Sequence, residues 1–107
     1  MENKHITLIL KELKRLLKET YGEKLNDVIL FGSYARKTAN QNSDIDILIV
    51  LNYEYDLDRE IEKTSHPIAD LSLEYDVLVN RLFMSRTYYQ THESALTRNI
   101  HQEGIRL

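Results

Sequence analysis

The chain has 107 residues, one proline, no cysteine and a formal net charge of −3. Its 42% hydrophobic and 29% charged residues are as expected of a globular protein, and the length sets one domain over 1–107. Disulfides and thiolate metal sites are excluded, and the negative balance argues against a broad nucleic-acid surface, so no direct nucleic-acid binding is expected.

The N-terminal stretch is broken by charges too often for a signal peptide. No run approaches the roughly 20 apolar residues of a membrane span, so no membrane partner is expected and the cytoplasm follows by default. Residues 4 to 20 read as a helix, with Ile6, Ile9, Leu10, Leu13, Leu16 and Leu17 forming one apolar stripe. Gly22 is placed to end it. The run Val28-Ile29-Leu30-Phe31 suits a strand buried on both faces. Residues 33 to 37 open a short helix, and residues 38 to 43 (TANQNS) form a polar surface loop. A second strand covers 44 to 51 and is expected to be central, because both alternating sets are apolar beyond Asp46. Leu57, Ile61, Ile68 and Leu71 keep helical spacing across 56 to 71, with a kink or break expected at Pro67. A third strand is expected over 73 to 79. A short and a longer helix fill 85 to 103, closed by Gly104. This order predicts an α/β (α+β) domain with a small mixed sheet flanked by helices.

Two features carry chemistry. Gly32-Ser33 ends the first strand, and after ten residues Asp44 and Asp46 open the second. On a strand, residues i and i+2 face the same side, which puts the carboxylates roughly 6.5 to 7 Å apart at Cα. Such a pair repels, and aspartate is a poor strand former, so the pair asks for a compensating cation. Mg²⁺ fits, because it takes carboxylate oxygens and bridges to phosphates. Asp76 is the third candidate ligand and the candidate proton acceptor. If its strand lies beside the second, it meets the pair across the ladder, and two metals roughly 3.5 to 4 Å apart become feasible. Glycine lets a backbone approach phosphate closely, and Ser33 adds a hydroxyl. Arg36, one turn on, is a candidate phosphate contact or a partner for a surface acid. An EF-hand loop is excluded by Leu48, and a Walker A loop is absent.

At Gly32, Ser33, Asp44, Asp46 and Asp76 the chain resembles the DNA polymerase β-type nucleotidyltransferase superfamily, most closely its minimal (MNT) domains. Residues 99 to 104 (NIHQEG) also resemble the close of such domains. Lys37 departs from the family's G-S-x-A-R-G run by replacing the last glycine. The resemblance implies a polymerase-β-type palm, with Gly32, Ser33 and Arg36 holding nucleotide and Asp44, Asp46 and Asp76 holding Mg²⁺. It further implies an antitoxin that moves AMP from ATP to a tyrosine hydroxyl of a cognate HEPN RNase toxin. ATP over other triphosphates rests on the resemblance alone. The brevity of the chain after Asp76 suits an acceptor presented by another molecule. The alternatives are an antitoxin that neutralises by occlusion and a small-molecule nucleotidyltransferase. A complete set of three carboxylates argues against a relict site.

The four histidines share no ligand spacing. Tyr75 reads as core. Tyr53 and Tyr55 are read as packing residues before base-stacking ones, and Tyr88 and Tyr89 as ordinary tail residues before partner-facing ones.

Overall fold

The computed structural model describes residues 3–107, so residues 1 and 2 of the expected domain lie outside the described residues. The apolar stripe of the N-terminal segment forms α1 (Ile6–Tyr21), which buries Ile9, Leu13, Leu16, Leu17 and Tyr21. Gly22 ends α1 in a positive-φ conformation, its N–H donating to the Lys18 carbonyl. A single 3₁₀ turn then leads into β1 (Leu25–Phe31). The remaining elements are α2 (Ser33–Arg36), β2 (Ile45–Leu51), α3 (Leu57–Tyr75), β3 (Val79–Ser85), α4 (Arg86–Thr91), α5 (Ala95–Glu103) and β4 (Ile105–Arg106).

The strands form one mixed sheet in the order β3-β2-β1-β4. β1 pairs antiparallel with β2 and β4, whereas β2 and β3 are parallel and joined by α3 as the crossover helix. β2 is central, and from Ile47 onward it is buried on both faces. Alternation divides its side chains. Ile45, Ile47, Ile49 and Leu51 pack beneath α1 and α3, in a core that also holds Ile68 and Leu71. Leu48 and Val50 pack on the opposite face with Ile29, Met84 and Ile100 of α5. Ile105 and Arg106 pair with Leu30 and Ile29, and the Leu107 N–H donates to the Val28 carbonyl.

Two sequence expectations are corrected. The third strand is not 73–79. Residues 73 to 75 complete α3, with Leu73 83% exposed at its end, and 76 to 78 form the turn that leads out of it. The strand begins at Val79 and runs through the polar pair Asn80-Arg81, which hides it from an apolar-pattern reading. Pro67 does not break α3 either, because the helix runs unbroken from Leu57 to Tyr75. Proline removes the one backbone bond to the Lys63 carbonyl, a loss the helix carries without a break. One turn earlier α3 is tied to β3: Ser65 Oγ and Arg81 Nη2 both donate to the Ile61 carbonyl, at 2.6 and 3.1 Å. Burial of Ile68 and Leu71 beyond the proline holds the second half of α3 on the sheet.

Candidate active site

Asp46 is the second residue of β2, and Asp44 lies just ahead of that strand. Asp46 pairs with Phe31 of β1 on one side and with Asn80 of β3 on the other. By alternation it shares the face of Leu48 and Val50, so the carboxylates stand where that face runs out of apolar cover. Asp46 is half-buried and Asp44 exposed.

The two carboxylates are tied by one amide. Asn80 Nδ2 lies 3.2 Å from Asp44 Oδ2 and 3.0 Å from Asp46 Oδ1. An amide nitrogen carries two hydrogens, so each carboxylate accepts one. The Gly32 turn lies directly against Asp46. Gly32 has φ 73°, and a Cβ placed there would overlap Asp46 Oδ2 and come within 3.2 Å of its Cγ. Both the backbone sign and the space therefore require glycine, and the turn is brought into contact with Asp46 for lack of a side chain.

Ser33 is the first residue of α2, immediately beyond that contact. Arg36 Nη1 pairs with Glu103 Oε2 at 3.5 Å across the surface, linking α2 to α5. Lys37 caps α2 in the left-handed region at φ 62°, ψ 33°, the position where the resembling family carries glycine. The loop after it is held by its own polar groups. The Asn40 N–H donates to Ser43 Oγ at 3.0 Å, the Ser43 N–H to the Asn40 carbonyl at 3.1 Å, and the Thr38 N–H to the Ser33 carbonyl at 2.9 Å.

Asp76 is not on a strand. It caps α3 in the left-handed region, at φ 51°, ψ 54°. It lines a cleft of about 350 Å³ shared with Asp44, Leu73 and Leu78. Among the described residues, no three His, Cys, Asp or Glu side chains converge closely enough to hold an ion. The structure thus unites Gly32, Asp44 and Asp46, leaves Asp76 on another wall of the cleft, and puts Asn80 at the position expected for the third acid. Asn80 carried a signal of its own, since asparagine is depleted in strands and this one sits inside an otherwise strand-like run.

Tyr53 and Tyr55 pack against the α1/α3 core and not beside the carboxylates. The Tyr55 hydroxyl donates to the Phe83 carbonyl at 2.7 Å. Among the described residues the Tyr21 and Tyr53 hydroxyls and Glu60 Oε1 are buried without a hydrogen-bond partner, although Lys63 Nζ stands 3.5 Å from Glu60 Oε1. Burial pushes the Tyr53 hydroxyl up to about 12, with the Glu60 carboxylate adding to the shift. The same two causes push Tyr21 up further.

The pair Asp44–Asp46 can take a divalent cation. Both carboxylates present oxygens to the Asn80 amide, and each has lone pairs to spare beyond that bond. A small mixed sheet carrying a glycine–serine turn beside an aspartate at the start of β2 and another just ahead of it defines a nucleotidyltransferase-type domain. The chain matches the family described as "Nucleotidyltransferase domain" over residues 9–107, and it belongs to that family. Two relatives from Methanocaldococcus jannaschii are similar. "Putative protein adenylyltransferase MJ0141" is 37% identical over 79 residues, covering 74% of this chain and 79% of the relative. A second protein of the same designation, MJ0604, is 33% identical over 96 residues, covering 89% and 90%. The fold is similar to that of a chain in the structure of the tri-AMPylated Shewanella oneidensis HEPN toxin in complex with MNT antitoxin. The TM-score there is 0.60 at 20% identity, over 94% of this chain and 69% of that one.

Proposed function

We propose that this chain is an antitoxin of the MNT type that acts as a protein adenylyltransferase, moving AMP from ATP to a tyrosine hydroxyl of a cognate HEPN toxin. The observation that carries the reading is the bridged pair Asp44–Asp46 with the Gly32 turn seated against it. The names of the archaeal relatives and of the Shewanella complex support the reaction class and the partner.

Asp44 and Asp46 would hold Mg²⁺, which when bound would neutralise triphosphate charge. Gly32 and Ser33 receive the phosphates, with Arg36 near enough in sequence to leave Glu103 for them. The acceptor oxygen attacks the α-phosphorus, the bond from that phosphorus to the bridging oxygen breaks, and pyrophosphate leaves. The chain's own contribution is positioning and charge balance. Asp76, on the cleft wall shared with Asp44, stands on the acceptor side, where it accepts the hydroxyl proton.

Incubating the chain with the cognate toxin, ATP and Mg²⁺ and weighing the toxin tests this. An added adenylyl group is expected. Asp44→Asn or Asp46→Asn should lower the rate by at least about 100-fold, the scale of losing one charged group that acts on the transition state. The circular dichroism spectrum should be unchanged, because asparagine keeps the shape and removes a repulsion. A toxin of unaltered mass would overturn the reading.

One observation favours a second reading, neutralisation by occlusion. Among the described residues the expected set of three converging carboxylates is reduced to two, which lowers the electrostatic cost of keeping the site unused. Neutralisation that survives Asp44→Asn with no change in toxin mass would select it.

A further inference from the structure

Asn80 sits in register beside Asp46, and its amide nitrogen bridges both carboxylates. No third carboxylate or imidazole joins them among the described residues. From this we infer that Asn80 is a positioning residue that sets the site to hold one divalent cation with the nucleotide, not two. The inference rests on the nucleotidyltransferase reading above and refines it.

The physical case has two parts. Two carboxylates carry the charge of one divalent cation. A second cation within 4 Å of the first would repel it strongly, and paired sites offset that repulsion with protein carboxylates that bridge the ions in addition to the oxygens of the triphosphate. Here the residue facing the gap is a neutral amide, which contributes no charge. The second part concerns the free protein. Asp44 and Asp46 would repel one another in the absence of metal, and the shared Asn80 donor offsets that repulsion. It holds both carboxylates in the orientation that a cation then takes over. Asn80 is exposed and on the sheet's edge strand, so its amide can turn without disturbing the core.

The test counts ions. The full-length chain is titrated with Mn²⁺ in the presence of a non-hydrolysable ATP analogue, and bound Mn²⁺ is read by electron paramagnetic resonance. The wild type should bind one ion per chain. Asn80→Asp adds the missing carboxylate and should bind two, with a lowered melting temperature when no metal is present. Asn80→Ala should keep a single ion at several-fold weaker affinity, because the carboxylates lose their tie. Two strongly coupled ions in the wild type would overturn the inference while leaving the nucleotidyltransferase reading intact. One ion in a folded Asn80→Asp would also overturn it. Should Asn80→Asp fail to fold, the wild-type count decides alone. A wild type that binds no Mn²⁺ with nucleotide would sink the nucleotidyltransferase reading and this inference together.

Discussion

Lys37 occupies a backbone position that disfavours it. At φ 62° its Cβ crowds the following carbonyl, a strain of roughly 1–2 kcal/mol that glycine avoids, less the entropy glycine loses on folding. Lys37→Gly is therefore expected to stabilise the protein by about 0.5–1 kcal/mol, seen as a rise of a few degrees in the melting temperature. The same residue scale shows what the sequence disclosed of the site. Gly32, Asp44 and Asp46 were legible, because strand alternation dictates that i and i+2 share a face and the glycine marks a close approach. Asp76 was misplaced, because its neighbours Tyr75, Val77 and Val79 alternate like a strand although Tyr75 ends a helix. Asn80 was missed because a search for charged ligands passes over a neutral residue that serves charged ones.

α1 and β2 are legible in the sequence because their burial is unambiguous. α1 has a single apolar stripe, and β2 is apolar on both faces, so each has one reading. α3 was cut short at both Pro67 and residue 71 because tertiary support is invisible locally. Arg81 of β3 donates to the Ile61 carbonyl, and Ile68 and Leu71 are buried beyond the proline, contacts that a local reading does not see. Tyr21 of α1, Tyr53 after β2 and Glu60 of α3 have polar atoms buried in the core, and the Glu60 carboxylate acts on both phenols. This group gives the fold an alkaline limit. An unfolded tyrosine titrates near 10. In the fold Tyr53 is raised to about 12, and Tyr21 is raised as well. A raised pKa favours the neutral phenol in the folded state, so the stabilisation is present below about pH 10 and is lost as pH rises through the folded values. Urea midpoints should be flat from pH 7 to 9 and fall between about 10 and 12, with a shallower fall in Tyr53→Phe.

Across the whole molecule the two sheet faces differ. One is closed by α1 and α3, and the other is covered by α5 only in part, which leaves Asp44, Asp46 and Asn80 at an open margin. Leu73 and Leu78, 83% and 66% exposed, line the cleft next to Asp44. An acceptor hydroxyl must come within roughly 3 to 3.5 Å of the α-phosphorus, so a protein acceptor has to cover this margin. Hydrogen exchange of the chain with and without the cognate toxin should show protection of the 38–43 loop and of residues 73 to 80. Protection confined to α1 would place the partner on the closed face and remove the geometric basis for transfer.

The pairing of β4 with β1 has a consequence for the order in which the domain assembles. Residues 105–107 hydrogen-bond to residues 28–30 from the opposite end of the chain, and Ile100 lies in the core of the second face. Closing so long a loop costs entropy before any contact rewards it, so this edge forms late, after β2, α3 and β3 have condensed. During synthesis, Leu48 and Val50 stay uncovered on that face until α5 has left the ribosome. In the finished protein the same edge should be the first to open. The Leu107 amide is expected to exchange through a low-energy local opening, while those of Ile47 to Val50 exchange only with global unfolding.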